Sequence, residues 1–388
     1  MNSRIKISLH ILAIALLLFL LSWWSMSSLT FLQSDTGLRF WQTRELIARE
    51  WSSFAIRYPA QAFDPDLRFV PFYCAYSIVQ GKLFFEITPF VPLLASFLFP
   101  RLGAAGLAVV PALSGTLIAL GMYYLARLGG LRRPYLLLWG SVLATPLFFY
   151  TLQLWDHSPA VACAVWGVYG AARGLVQRRW PPLFWGGVVL AVGLGQRPEM
   201  YLFVLALAAS ALLVHRQQWR LLPALAGGGL LGVLPIWWFQ LAWFGHPFGM
   251  AFAPHLFGYG RPPAHVFTCQ APGSALRYGR FLMYIDGRDL QSFAAALLAI
   301  GALFLLLLGL RMPRLRRPWL LLSALALAAV GYALWGEMMW HSLLPGLLTT
   351  CPFLGLSLAY LEQNEDGSPT RPVYRLVFFT TLLFLVGM

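Results

Sequence analysis

The sequence predicts an all-α protein with many membrane-spanning helices. Of its 388 residues, 59% are hydrophobic and 11% are charged, whereas ordinary soluble domains carry about 25% charged residues. Apolar runs, several long enough to cross a ~30 Å hydrocarbon core, alternate with short basic clusters. Inside lipid a chain must satisfy its own backbone hydrogen bonds, which helices do within each segment. We therefore expect a helical bundle with about 11 spans.

The candidate spans follow the apolar runs. They are placed at 7–32, 104–126, 134–151, 158–176, 181–195, 198–214, 221–244, 291–310, 318–336, 343–361 and 373–388. Two large outer loops are expected at 33–103 and 245–291. No separate soluble domain is expected, so 1–388 is predicted to be a single transmembrane domain.

The charges orient the chain. Lys and Arg concentrate on the side of the N-terminus, which the positive-inside rule makes cytoplasmic. All acids except Glu362, Glu365 and Asp366 fall on the other side under this assignment. The net charge of +14 is thus explained by membrane topology, and a nucleic-acid partner is not expected.

The segment from Ser34 to Tyr58 is the first polar sequence after the first apolar run, and Asp35 stands at its start. Apolar residues recur in it at helical spacing between polar ones, which is typical of a helix lying on a membrane surface. Farther along, prolines divide the segment 59–101 into pieces that are too short to cross a membrane. We expect interfacial or re-entrant helices there.

Ionisable residues at the outer ends of several spans predict a shared polar cavity, because such groups are costly beside hydrocarbon. They occur in LQLWDHSPA, LGQRPEMYL and LWGEMMWHSLLPG, and they are Asp156, His157, Arg197, Glu199, Glu337 and His341. We expect this cavity to bind the substrate. Structural roles stay open: Asp156 and His157 can cap a helix at the interface, and Arg197 and Glu199 can simply pair with each other.

The order and spacing of five segments resemble the GT-C superfamily of integral-membrane glycosyltransferases. The resemblance is greatest to relatives of protein O-mannosyltransferases and of the aminoarabinose transferases that modify lipid A. The segments are SDTGLRFWQTRELI, GKLFFEITPFVPLLASFLFPRLGAAGL, TPLFFYTLQLWDHSPAVA, LGQRPEMYLFVLAL and WFGHPFG. The resemblance implies a GT-C-like architecture over nearly the whole chain.

The resemblance also implies an activity. Such enzymes transfer a sugar from a polyprenyl-phosphate donor to a lipid, glycan or protein acceptor on the outer face, with a catalytic acid in the first outer loop. Asp35 matches that acid by position, although it can also act as the N-cap of its helix. The expected location is the cytoplasmic membrane of a bacterium or archaeon, among membrane lipids, with the active site on the outer face. Transfer without a covalent sugar–enzyme intermediate would make the enzyme inverting.

Glu86 resembles the Glu of a Glu-Lys-Pro-Pro motif that contributes to a metal site near the carrier phosphate in aminoarabinose transferases. It is the second expected catalytic residue, and the alternative is a helix cap. Ile87 stands where the motif has its lysine, so Lys82, Arg101 or Arg197 would have to contact the phosphate. A divalent metal held by Glu86 with His157, or with a loop histidine such as His246, His255 or His265, is a further option, but no HxxxH or HExxH spacing supports it.

Two other classes of function stay open. One is a flippase for lipid-linked sugars or another transporter, and the other is a non-catalytic assembly subunit. A transporter would place ionisable residues near mid-membrane and often shows inverted repeats, and the sequence shows neither. We therefore expect an enzyme.

Overall fold

The computed structural model of the protein describes residues 3–27, 34–65, 76–251, 253–254, 343–365 and 372–387. This part of the chain is mostly helical. Its helices are α1 Ser3–Met26, α2 Ser34–Ala48, α3 Phe90–Leu102, α4 Ala104–Leu128, α5 Pro134–Leu143, α6 Leu147–Tyr150, α7 His157–Gln177, α8 Trp180–Gln196, α9 Met200–Val214, α10 Leu222–Phe244, α11 Leu343–Thr350, α12 Leu354–Glu365 and α13 Pro372–Gly387. Short 3-10 helices lie at Arg216–Leu221 and Cys351–Phe353, and strands β1 Tyr76–Val79 and β2 Lys82–Phe85 form a hairpin.

Four segments of the described chain are long and apolar enough to cross a membrane. They are Ile5–Met26, Ala104–Leu128, His157–Gln177 and Arg216–Phe244. Shorter apolar helices lie at Phe90–Leu102, Pro134–Leu143, Met200–Val214, Leu347–Leu361 and Pro372–Leu385. The all-helical class is thus confirmed in its general form, and these four segments are candidate membrane spans by length and composition. The number of spans stays a prediction, and the candidate spans 291–310 and 318–336 lie outside the described residues.

The predicted span 134–151 is wrong as a single helix. The chain forms α5, stops at Ala144, and restarts as the four-residue α6 after Pro146. Proline has no N–H to donate and clashes with the preceding turn, which explains the break. At ten residues, α5 is about 15 Å long and is too short to cross alone.

The core is built around α7, which packs against α4 on one side and α8 on the other. Helix α8 in turn packs on α10, α1 packs on α4, and α13 packs on α9. Glycine makes the α8–α10 contact possible. A Cβ added at Gly228 would lie 1.9 Å from the carbonyl oxygen of Phe184, so the two backbones touch directly there.

The helix predicted from Ser34 to Tyr58 ends earlier, at Ala48. Glu50 and Trp51 adopt φ angles of 52° and 57°, in the left-handed region that terminates helices. The chain then turns back, and Ile56 forms an isolated bridge with Leu83 of β2. The predicted helix is therefore correct over its first 15 residues and wrong beyond them.

The prediction of a helix lying on a surface is also wrong in part: Arg44 is exposed, but protein covers several other polar residues. Arg39, Gln42, Thr43 and Glu45 are buried. Gln42 Nε2 donates to the carbonyl of Phe54 at 3.1 Å, and α2 packs on α3. The returning chain thus satisfies polar groups that a surface helix would leave to solvent.

Residues 76–85 form an antiparallel hairpin, whereas interfacial helices were predicted for this region. Gln80 and Gly81 connect the strands with φ angles of 51° and 73°, the positive values that a tight hairpin turn requires. Aromatic and β-branched residues on either side favour extended chain. The hairpin packs with Leu38 of α2 in a small apolar core, and it leads directly into the segment that carries Glu86 and Thr88.

Candidate functional site

Four separate parts of the chain bring charged and polar side chains together at one end of the bundle. They are the first turns of α2, the segment after β2, the N-terminus of α7 and the connection between α8 and α9. We call this group the Asp156 cluster, and its members are Asp35, Arg39, Thr88, Asp156, His157, Arg197 and Glu199.

Asp156 lies at the centre of the cluster, with only 1% of its side chain exposed. Its Oδ2 accepts hydrogen bonds from Arg39 Nη2 and from Thr88 Oγ1, each at 2.8 Å. Its Oδ1 is 3.6 Å from Arg197 Nη1. Asp156 precedes α7 but makes no capping bond to that helix, because its carboxylate is directed to these partners instead.

Two guanidinium groups keep Asp156 ionised. Burial alone would raise the pKa of its carboxyl, but the positive charges of Arg39 and Arg197 outweigh burial and hold the pKa below its usual range. A buried charge is tolerated only when it is paired in this way. Asp156 is thus a fixed negative charge between two arginines.

Arg39 links the buried centre to the exposed edge of the cluster. Its Nη1 donates to the backbone carbonyl of Asp35 at 2.9 Å, and the same atom is 3.8 Å from Asp35 Oδ2. The Asp35 side chain is 46% exposed. One buried arginine therefore holds Asp35, which faces solvent, and Asp156, which does not.

Arg197 closes the other side of the cluster. Its Nε donates to Glu199 Oε1 at 2.8 Å. Burial would lower the pKa of Arg197, but Glu199 and Asp156 raise it above its ordinary value, so the guanidinium stays charged. The pairing of Arg197 with Glu199, left open as a structural role, is thus present.

His157 lies beside this pair. Its Nδ1 is 3.9 Å from Glu199 Oε1, which is too long for a hydrogen bond. The rings of Tyr150 and Trp155 each lie 5.0 Å from its own ring and meet it edge to face. The histidine is thus held mainly by aromatic contacts.

Several buried polar atoms in and beside the cluster have no hydrogen-bond partner among the described residues. They are Arg39 Nε, Trp155 Nε1, Asp156 Oδ1, Ser158 Oγ and Gln196 Oε1. Each such atom costs about 1–3 kcal/mol if it stays unpaired. A concentration of them in one place indicates a region where water or a ligand supplies the missing partners.

Glu86 lies two residues before Thr88 and is half-buried. Ser77 Oγ of β1 donates to its Oε1 at 2.5 Å. In the segment that carries Glu86, the residue that contacts Asp156 is thus Thr88.

The structure separates the two other predicted cations from the cluster. Lys82 is exposed at the turn end of the hairpin, at the opposite end of β2 from Thr88. Arg101 is exposed in the last turn of α3 and donates to the carbonyl of Phe97 at 2.9 Å. Helix α3 is about 20 Å long, which keeps Arg101 well away from Thr88. Glu337 and His341 lie outside the described residues.

Sequence reasoning missed Arg39 and Thr88 as site residues. Arg39 follows Asp35 by four positions on a helix, a spacing that brings side chains together, and this signal was present in the sequence. Nothing in the sequence marks Thr88, whose role depends on how the hairpin places the segment after it.

The optional metal site stays a prediction, because His255 and His265 lie outside the described residues. No three His, Cys, Asp or Glu side chains lie together as metal ligands anywhere in the described ranges. Glu86 Oε1 instead accepts the hydroxyl of Ser77. We therefore assign no step of a reaction to a metal.

A small cavity of about 350 Å³ lies on α2, beyond Asp35 along the helix. Its lining combines aromatic and charged side chains, namely Phe40, Trp41, Arg44, Glu45 and Arg57, together with Ala48. The Arg57 guanidinium donates to Glu45 Oε2 at 3.0 Å. Such a lining suits a polar ligand that also has an apolar face, as a sugar ring does.

Comparison with known proteins gave no match to any family model, curated protein or solved structure.

Proposed function

We propose that the protein is a membrane glycosyltransferase that moves a sugar from a polyprenyl-phosphate donor to an acceptor on the outer face of the membrane. The observation that carries the proposal is the exposure of Asp35. Its side chain is 46% exposed, whereas those of Asp156 and Glu199 are 1% and 8% exposed. Asp35 is thus the carboxylate of the cluster that a substrate can reach.

In the proposed reaction Asp35 acts as the general base. An acceptor hydroxyl gives its proton to the Asp35 carboxylate while its oxygen forms a bond to the anomeric carbon of the sugar. The bond between that carbon and the phosphate oxygen breaks, and its electron pair leaves with the polyprenyl phosphate. One displacement of this kind inverts the anomeric centre and needs no covalent sugar–enzyme intermediate.

Arg39 is a positioning residue in this scheme. It is buried, and it holds Asp35 through the backbone carbonyl while its other nitrogen is fixed on Asp156. A catalytic group gains from being held in place before the reaction, since even small displacements lower the rate. The buried part of the cluster thus serves to orient the exposed part.

Arg197 remains our candidate for the donor phosphate. Its Nε and Nη1 are directed to Glu199 and Asp156, and 20% of its side chain is exposed. One planar guanidinium group can donate two parallel hydrogen bonds to two oxygens of a phosphate. The exposed part of this side chain is where such contact would occur.

The cavity on α2 is the proposed place of the acceptor. It begins at Phe40, about one and a half turns along the helix from Asp35, and Trp41 supplies an aromatic surface beside the charges of Arg44 and Arg57. The acceptor can be a lipid, a glycan or a protein, since each presents a hydroxyl. We expect the site on the outer face of a bacterial or archaeal cytoplasmic membrane.

A flippase for lipid-linked sugars is the competing function. In the four described segments that can span a membrane, every Asp, Glu, Lys and Arg lies near an end, as Lys6, Arg127, Arg173, Arg216 and Arg220 do. Transport pathways place ionisable groups near mid-membrane. This distribution supports an enzyme.

The test uses purified protein with radiolabelled polyprenyl-phosphate sugars and a membrane extract as the source of acceptors. We expect the label to move from the carrier to an acceptor. Movement of intact labelled carrier across protein-containing vesicles, without transfer of the sugar, would contradict the proposal and support the flippase.

A further inference from the structure

A second cavity, of about 580 Å³, lies between α4, α7 and α8. Its size is within the range of about 300–1,000 Å³ that is common for ligand pockets. Aromatic side chains form much of its wall, and a single charged residue belongs to the lining. Its lining includes Trp166, Tyr169, Gly170, Arg173, Trp185 and Val189.

The floor of this groove is made by glycine. A Cβ added at Gly170 of α7 would lie 2.7 Å from the Cα of Gly186 on α8. The two helices therefore meet backbone to backbone, as small residues allow in membranes. The absence of side chains at the contact leaves a channel between the larger residues on either side, including Trp166 and the exposed Trp185.

The charge at one end of the groove is positive and unbalanced. Arg173 lines the groove, and Arg178 and Arg179 follow it in the connection from α7 to α8. The sequences of α4, α7 and α8 contain no Asp or Glu. Within the described residues, Arg173 contacts only neutral groups: the Gln177 side chain, and the Tyr169 hydroxyl and ring.

The groove is distant from the Asp156 cluster. Arg173 follows His157 by 16 positions on α7, which corresponds to about 24 Å along the helix. A rise of this size takes the chain across most of a hydrocarbon core of ~30 Å. The charged end of the groove is thus near the membrane face opposite to the proposed active site.

We propose that this groove binds one anionic phospholipid of the surrounding bilayer. An acyl chain would lie on the glycine floor between Trp166 and Trp185, and the headgroup phosphate would meet Arg173. Basic pockets between membrane helices bind anionic headgroups, and a guanidinium recognises phosphate through paired hydrogen bonds. The ligand is a structural lipid and is independent of the proposed glycosyl transfer.

Native mass spectrometry of the full chain in detergent tests the proposal. Phosphatidylglycerol and phosphatidylcholine with identical acyl chains are added in turn, and the bound lipid is counted. We expect phosphatidylglycerol to be retained in preference to phosphatidylcholine. Arg173→Gln should weaken that binding about fivefold, since one cation near the membrane surface contributes roughly that factor.

Two further variants make the test specific. Val189→Trp adds bulk inside the groove at a half-exposed position, and it should also weaken binding while the protein elutes normally from a size-exclusion column. Arg220→Gln is the matched control. Arg220 is exposed in the 3-10 helix between α9 and α10 and does not line the groove.

Binding that falls in Arg173→Gln and Val189→Trp but not in Arg220→Gln supports the site. Equal retention of the two lipids, an unchanged preference in Arg173→Gln, or an equal loss in Arg220→Gln would each overturn it. Retention of no phospholipid at all would also overturn it, and would indicate that protein covers the groove.

Discussion

Replacing Arg39 with glutamine removes the partner on which the buried Asp156 carboxylate depends most. The Arg39 Nη2 to Asp156 Oδ2 hydrogen bond is 2.8 Å long, and both side chains are at most 3% exposed. In the variant, Asp156 keeps the Thr88 hydroxyl at 2.8 Å and the more distant Arg197 at 3.6 Å. Removing one partner of a buried ion pair typically destabilises a protein by about 3–5 kcal/mol, and we expect Arg39→Gln to fall in that range.

The control is Arg57→Gln. Arg57 also pairs with a carboxylate, Glu45 Oε2 at 3.0 Å, but its side chain is 55% exposed. Although Glu45 is buried, Arg49 Nε stays 3.6 Å from the same oxygen and solvent reaches the Arg57 side of the pair, so this variant should lose less stability than Arg39→Gln does. The measurement is the free energy of unfolding of detergent-solubilised protein, followed by far-UV circular dichroism as denaturant is added.

A double variant distinguishes a lost pair from a general packing defect. Arg39→Gln combined with Asp156→Asn removes both charges, so no unpaired ion stays buried, and the loss should be smaller than in Arg39→Gln alone. If Arg39→Gln destabilises no more than Arg57→Gln does, the cluster is not held by a buried ion pair and the reasoning fails.

Three other predictions concern the fold and its response to pH. Gly228→Ala places a methyl group against the carbonyl of Phe184 and should destabilise the protein by about 1–3 kcal/mol. Gly227→Ala is the control: nothing lies within 4 Å of its new methyl group, so it should be neutral or stabilising. Equal effects of the two variants in a thermal-unfolding assay would contradict the close packing of α8 on α10. Thr88→Val removes one hydrogen bond to a charged group, so a loss of about 1.5–3 kcal/mol in the same assay is expected, and an unchanged stability would refute the contact. Because the folded pKa of Asp156 lies below its ordinary value of 3.8, the stabilisation from this group is complete above that pH and is lost as pH falls below it. A pH series of unfolding midpoints should therefore fall more steeply below about pH 4 in the native protein than in Asp156→Asn, and parallel curves would contradict the assignment.

The spans were the most predictable part of the fold. Length and hydropathy alone predicted long apolar helices at 104–126, 158–176 and 221–244, and the structure has a long helix at each place. Pro146, where the helix breaks, was visible in the sequence as a proline within an apolar run. The average hydropathy of residues 134–151 is high all the same, so the run was predicted as one helix.

The first outer loop was less predictable, because periodicity shows which side chains share a face and not what covers that face. Gln42 and Glu45 are polar and helical, so a solvent-facing role fitted them equally well. Burial of that face depends on the chain turning back at Glu50 and Trp51 and on α3 packing against α2. Such contacts between distant segments are not encoded in local spacing.

The site was predicted in part. Asp156, Arg197 and Glu199 were expected in one cavity from their positions at span ends, and the structure brings them together. Lys82 and Arg101 were included through a motif resemblance, and they lie elsewhere. Arg39, which bonds both Asp35 and Asp156, was assigned to the polar surface of a helix. A charged residue is seldom buried unless an acid pairs with it, and here that acid is distant in the sequence.

The central claim is that Asp35 performs the chemistry, and the rate of sugar transfer in Asp35→Asn tests it most directly. Glu50→Gln is the matched control, since Glu50 is an exposed acid just past the other end of α2. With equal amounts of folded protein and a radiolabelled polyprenyl-phosphate sugar, Asp35→Asn should transfer label about 10²–10⁴-fold more slowly, whereas Glu50→Gln should match the native protein. Near-native transfer by Asp35→Asn would contradict the account.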